Sequence, residues 1–378
     1  MLSLRQRALP VALCAAITAV VPAVGASAAA QPVTAARAPI SAEAVITTIA
    51  GTGDRGFAGD GGAAVDATLN RTRDTAIGPD GSIFVVDTFN NRIRKIATDG
   101  TISTVAGDGS AGYNGDDIPA TSASLHWPHD AFVDDTGVLY IADAQNHRVR
   151  MVGLDGIIHT VAGTGVAGST GDGGPAVDAQ IRNPKSVAVR GHYLYLSGLD
   201  NKIRRVDLST GTIDTVAGTG AMGYTGDGGP AVDATLAKPQ RLQVDWHGNI
   251  YVADTDNDVI RRIDGDTGTI ETVAGSDRGF SGDGGPATSA ELNRPRGLAL
   301  AGDSLLYIAD SGNDRIRAVD LSTGIITSVV GTTGGYSGDG GPAVDAQIYG
   351  PRGLTVLKNG DLLIADSMNS RIRLVSAP

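Results

Sequence analysis

Arg73, His129, Lys185, Gln240, Arg296 and Arg352 recur at intervals of 55 or 56 residues, each just after a loop proline or, for Arg73, after Thr72. The residues that follow them are Asp74, Asp130, Ser186, Arg241, Gly297 and Gly353. Equivalent positions of a repeat converge when the repeat closes into a ring, so four permanent cations and an imidazole are expected to face one another across a concave mouth. Positive charge focused by low-dielectric walls favours an anionic ligand such as a carboxylate, a uronic acid or a phosphate. The same side chains could instead pair with Asp74 and Asp130 or extend into water.

The second copy departs furthest from the others. It reads LHWPHD, with His126, Trp127, His129 and Asp130, and its next turn, AQNH, adds His147. Imidazoles with a carboxylate can ligate zinc or copper or exchange protons near neutral pH. His126, His129 and His147 are therefore candidate metal ligands, and His129 and Asp130, with Tyr349, are candidate catalytic groups. No HxH or HxxxH spacing repeats, and a metal site demands tight geometry. Trp127, Phe89, Tyr349 and Met368 are the large apolar residues of the same face. An aromatic platform beside cations suits a sugar or peptide, so Trp127 joins Arg73, His129, Lys185, Arg296 and Arg352 in the candidate ligand-binding set.

Other repeated residues read as structural. A Gly-Asp pair places Asp60, Asp116, Asp172, Asp227, Asp283 and Asp339 in glycine-rich loops, and a second ladder closes apolar runs at Asp87, Asp143, Asp254, Asp310 and Asp366, with Gly198 in the missing place. Arg94, Arg150, Arg204, Arg261, Arg317 and Arg373 follow in step. An Asp at a strand-to-turn junction accepts backbone N–H groups, and an Arg beside it fixes the turn. The loop prolines suit the first turn of a short helix that the preceding Asp could cap. EF-hand spacing is absent, so calcium would have only backbone-rich acidic turns to bind, and the Lys-Ser/Thr of a phosphate loop is missing. No cofactor is expected, with zinc or calcium as the only metals to consider.

Four short runs rich in Val, Ile, Leu and Tyr fill each unit; in the fifth they are 296–300, 305–310, 314–320 and 325–331. Links of a few residues make these antiparallel hairpins of one twisted sheet and leave no room for a crossover helix. Radial packing of six such sheets buries both faces of each. VITTIAG (45–51) reads as an outer strand preceding the first complete set, whereas the chain ends on a third strand, RIRLVS (371–376), so the N-terminal strand should complete the last sheet. The expected class is all-β: a six-bladed propeller over residues 42–378.

The runs YIADSGNDRIRAVD, YVADTDNDVIRRID and LIADSMNSRIRLVS resemble the NHL-repeat signature of β-propellers, over essentially all of residues 45–378. The intervening GTGxxGYxGDGGPAxxAxLxxP is similar to that of secreted bacterial NHL proteins. The resemblance implies a six-bladed fold but leaves the function open, because the family spans scaffolds, sensor domains, protein- and RNA-binding modules and a peptide-amidating lyase. That lyase takes its metal-binding histidines from different blades, which this chain does not match.

Residues 1–30 carry Arg5, Arg7, an apolar stretch from Leu9 to Val24 and small residues from Ala26 to Ala30, the pattern of a secretory signal peptide cleaved after Ala28 or Ala30. Residues 31–41 read as a flexible lead-in. Cys14 is the only cysteine, so the exported chain would hold no thiol and no disulfide. No later run is long and apolar enough to span a membrane. Loss of Arg5 and Arg7 takes the net charge from −11 to −13, which opposes nucleic acid and anionic membranes as partners. The expected protein is an extracellular binding scaffold for an anionic small molecule, a carbohydrate or a protein. The alternative is an extracellular lyase or hydrolase acting on an acidic carbohydrate or other carboxylated substrate, with His129 as acid or base and Arg73, Arg296 and Arg352 holding the anion. A Ser-His-Asp hydrolase is disfavoured, since no GxSxG elbow stands on a strand-to-helix turn.

Overall fold

The structure is a computed structural model that describes residues 40–41 and 43–376. The expected signal peptide and nearly all of the lead-in lie outside the described residues. Six sheets follow one another, each running inner, second, third and outer strand in antiparallel order. In the fifth blade these strands are Gly297–Ala301, Leu305–Asp310, Arg315–Asp320 and Ile325–Val330, within a residue or two of the runs read from sequence. The only helical segments among the described residues are single 3-10 turns.

Closure follows the sequence expectation. Val45–Ala50 is the outer strand of the sixth blade and pairs with Arg371–Ser376, with Val45 opposite Ser376 and Ala50 opposite Ile372. All six pairings of third with outer strand contain a register shift, and such bulges add the right-handed twist that lets neighbouring blades stack face to face. Each joint between blades holds its own apolar cluster. Between the sixth and first blades it comprises Ala50, Leu69, Val85, Ile102, Leu363 and Ile372, all fully buried.

Every blade also buries one arginine completely. Arg94 donates to Ala58 O at 3.2 Å and pairs with Asp60 at 2.6 Å and Asp87 at 3.5 Å, while the Phe57 ring covers it at 4.8 Å. Arg150, Arg261, Arg317 and Arg373 repeat this knot with Asp116, Asp227, Asp283 and Asp339. The loop aspartates are therefore held by arginine and do not cap the 3-10 turns after the prolines, which have no side-chain cap. This corrects the capping expectation. A buried guanidinium left without carboxylates costs more than a missing cap, and it draws the loop inward. The glycines before these aspartates permit the approach: at Gly59 (φ 93°) a Cβ would lie 2.7 Å from the Ala67 Cα.

In the third blade Gly198 replaces the second aspartate. Arg204 there binds Asp172 twice, at 2.6 and 2.9 Å, and the nearby Asp200 is buried, its carboxyl pushed up to about 6 by burial.

A sixfold hydrogen bond links neighbouring blades on the top face. The left-handed residue after each second strand, Asn91, His147, Asn201, Asp258, Asp314 or Ser370, accepts the N–H of the next blade's pre-proline residue or its equivalent. Removing residues 42–51 deletes the sixth blade's outer strand and bares the edge at Arg371–Ser376. That truncation is expected to lower the melting temperature by roughly 10 °C or more and to produce association on size-exclusion chromatography. An unchanged melting temperature with a monomeric elution would show that the strand does not close the ring.

Candidate functional site

The chain enters five of the six inner strands through a fixed step, the third blade being the exception. Asp87 Oδ1 accepts the N–H of Asn70, and Asp143, Asp254, Asp310 and Asp366 likewise accept those of His126, Ala237, Asn293 and Tyr349. Three residues further on stand Arg73, His129, Gln240, Arg296 and Arg352. The buried arginine knot thus positions the residues that reach the channel. Burial pushes the carboxyls of Asp87, Asp143, Asp254, Asp310 and Asp366 up to about 6, against the pull of asparagine, backbone and arginine donors.

Arg73, His129, Lys185, Gln240, Arg296 and Arg352 line one narrow cavity of about 20 Å³ at the mouth of the central channel, together with Asp74, Asp130, Arg241 and Gly353. Its floor is a buried ion cluster: Arg241 Nη1 contacts both Asp74 and Asp130, drawing blade four to blades one and two. Asp130 also accepts Ser186 Oγ at 2.5 Å and Val187 N at 2.8 Å. Burial pushes the Asp130 carboxyl up to about 7 and the Arg241 guanidinium down to about 10, which leaves the arginine charged at neutral pH. Gly297 and Gly353 keep the inner strands close, since a Cβ would strike the Arg352 carbonyl at the first and Asp74 at the second.

The floor leaves the mouth without counter-charge. Asp74 and Asp130 face Arg241, and among the described residues no carboxylate forms a salt bridge with Arg73, Lys185, Arg296 or Arg352. Arg296 Nε is buried without a hydrogen-bond partner. Burial followed by repulsion from neighbouring arginines holds Arg73 down to about 10, Lys185 down to about 7 and Arg352 well below its ordinary value. His129 is buried, and desolvation with the same cations keeps it neutral. Such a cluster stores repulsion that an anion would relieve.

The remaining sequence candidates lie elsewhere. Trp127 sits on the rim at φ 49°, its ring 5.1 Å from Phe89, over which Arg71 and Arg73 also lie. Tyr349 and Met368 border a separate cleft, so Tyr349 does not share a cavity with His129 and Asp130. Among the described residues no three His, Cys, Asp or Glu side chains are grouped to hold a metal, so His126, His129 and His147 do not converge. His147 Nδ1 instead accepts the Asn183 N–H at 3.1 Å. Spacing alone places Arg241 among the variable residues, and nothing local to blade four marks it as the residue that closes the channel floor.

Arg241→Met would leave Asp74 and Asp130 buried without their cation. It is expected to lower unfolding free energy by about 3–5 kcal/mol in urea titrations, because breaking one side of a buried pair strands the other. Adding Asp74→Asn and Asp130→Asn is expected to recover most of the loss. Wild-type stability in the single variant would remove Arg241 from this role.

Comparisons with known proteins agree with this geometry. The model of the teneurin NHL domain matches residues 34–114 and 274–337, and that of the NHL repeat matches residues 349–373. NHL repeat-containing protein 2 of Bos taurus is 27% identical over 326 residues, which cover 78% of this chain and 44% of the relative. The chain thus spans less than half the length of that relative. Among solved structures, an auxiliary nutrient binding protein of Bacteroides thetaiotaomicron superposes with a TM-score of 0.66 at 17% identity, covering 88% of this chain and 76% of that one. A gluconolactonase of Xanthomonas campestris gives 0.56 at 14% identity, covering 91% and 94%. At such identities these two likenesses establish fold alone. The repeat signature, the ring closed by its own first strand and the matches to NHL models and relatives together support an NHL-repeat β-propeller.

Proposed function

We propose that this propeller is an exported binding protein whose channel mouth takes the carboxylate or phosphate of an anionic ligand. The observation that carries the reading is the half-buried cation set Arg73, Lys185, Arg296 and Arg352, with which no carboxylate among the described residues forms a salt bridge while the nearby Asp74 and Asp130 are taken up by Arg241. Charged side chains placed this way cost stability, and a ligand anion supplies the missing pairing. Export rests on the leader pattern of residues 1–30. A second reading, a lyase or hydrolase acting on an acidic carbohydrate, draws on Lys185 near neutrality beside the neutral His129, two groups able to exchange a proton next to a bound anion. Product formation from oligouronates that is lost in His129→Gln would favour it.

Calorimetry at low salt tests the binding reading with galacturonate and phosphate against neutral galactose. The charged ligands are expected to bind more tightly, and Arg352→Ala or Arg296→Ala to weaken them about tenfold or more, ~1.4 kcal/mol each. Equal affinity for charged and neutral ligands would return these residues to solvated loop ends.

The mouth also predicts a pH dependence. Only protonated Lys185 attracts an anion, and its pKa in the free protein is about 7, so affinity should be highest below pH 7 and fall as pH rises through it. Asp130, raised to about 7 by burial, titrates in the same sense, whereas His129 stays neutral throughout. Lys185→Met is expected to flatten most of the dependence between about pH 6 and 8.5. An unchanged slope in that variant would assign the dependence to Asp130.

A further inference from the structure

A second cleft, about 290 Å³, opens on the top face where the fifth blade meets the sixth. It shares Arg296 and Arg352 with the channel mouth and runs outward past Gly312, Gly350, Tyr349 and Arg294. That volume stands at the lower edge of the roughly 300–1,000 Å³ usual for ligand clefts.

The cleft lies at the joint where two equivalent positions carry no side chain. Each joint brings together the second residue after one blade's second strand and the pre-proline residue, or its equivalent, of the next blade. Phe89 meets Trp127 at the first joint, where the two rings stack at 5.1 Å. Asp256 meets Arg294 at the fourth, as an ion pair at 3.4 Å. At the fifth both positions are glycine, Gly312 and Gly350, and Gly350 N donates to Asp314 Oδ1 at 2.7 Å. Gly350 keeps the left-handed φ of 55° that Trp127 and Arg294 also adopt, so the conformation does not require glycine. The glycines let neighbouring side chains close in, since a Cβ at Gly350 would lie 2.8 Å from Met368 Cγ and one at Gly312 2.4 Å from Asn293 Cγ, and neither position sends a side chain into the cleft.

The lining of the opened joint selects a class of ligand. Arg296 and Arg352 stand at its inner end and the exposed Arg294 at its border, so two anionic groups along one molecule could each meet a guanidinium. Between them the Tyr349 side chain is 46% exposed, with Met368 beside it and polar Ser311 and Asp314 across the cleft. A single aromatic face flanked by polar groups fits a pyranose ring, whose C–H face is apolar and whose edge carries hydroxyls. An apolar peptide side chain would need a deeper apolar pocket.

We propose that this cleft is a second subsite for an elongated acidic glycan, an oligouronate whose end carboxylate sits on Arg296 and Arg352 and whose next ring lies on Tyr349 toward Arg294. The proposal rests on the anion-binding reading of the mouth and adds a dependence on chain length.

Calorimetry with galacturonate, tri-galacturonate and tri-glutamate tests it on the mature full chain. The trimeric sugar is expected to bind about tenfold or more tightly than the monomer. Tyr349→Ala should bring the trimer down to the affinity of the monomer while leaving the monomer unchanged. Gly350→Trp, which copies Trp127 into the open joint at the expense of a shift in the Met368 side chain, should do the same. If Gly350→Trp fails to fold, Tyr349→Ala decides alone. Equal binding of monomer and trimer to the wild-type protein overturns the subsite and leaves the mouth reading intact. Absence of galacturonate binding overturns the mouth reading and this one with it. An equal, Tyr349-dependent gain with tri-glutamate overturns the assignment to a glycan.

Discussion

The structure depends on a guanidinium group taken completely out of water, once in every blade. Arg94 and its five counterparts are fully buried in the middle of their sheets, and a charge so placed must be met by carboxylates and carbonyls. Meeting it draws the glycine-rich loop inward through Asp60 and fixes the end of the second strand through Asp87. Asp87 in turn holds Asn70, three residues before the channel residue Arg73. The geometry of the mouth is therefore inherited from a buried charge on the third strand. The aromatic residue over each pair of guanidiniums, such as Tyr336 over Arg371 and Arg373, adds a partner that is itself part of the loop.

The same chain treats its other charges in the opposite way. Buried arginines of the third strands are matched by aspartates in every blade, the third included, where Asp172 takes a double share. The cations at the mouth repel one another and, among the described residues, form no salt bridge with an acid. A chain with 41 acidic residues does not lack carboxylates, and two of them, Asp74 and Asp130, stand within the same cavity. Arg241 takes both. This arrangement closes the channel floor and leaves the positive field directed outward, a local departure from pairing of the kind expected where function outweighs stability.

Departures from the repeat are also where the blades acquire separate uses. Histidine at 147 serves as the hydrogen-bond acceptor that asparagine, aspartate or serine provides in other blades, so its difference in type conceals a sameness in role. Glycine at 312 and 350 has the contrary effect, since the left-handed backbone is kept at 350 while neither position sends a side chain into the cleft beside it. The fold shared with binding proteins and with lactonases is neutral between these uses, which reside in side chains on one face.

The sequence by itself determined the period, the four strands of each blade, the completion of the last blade by residues 45–50 and the set of positions that reach the channel. All of these are signals within one repeat or between copies of it, where alternation and turn residues act over a few neighbours. It did not determine which charges pair. Arg241 lies 111 residues from Asp130, and their contact exists only because the ring brings blade four opposite blade two. Nor did it reveal that the loop aspartates bind arginine rather than cap a turn, or that two glycines 38 positions apart line the same cleft. Such pairings are decided by closure, because a repeat specifies its own sheet locally while the neighbours of its top-face side chains belong to other blades.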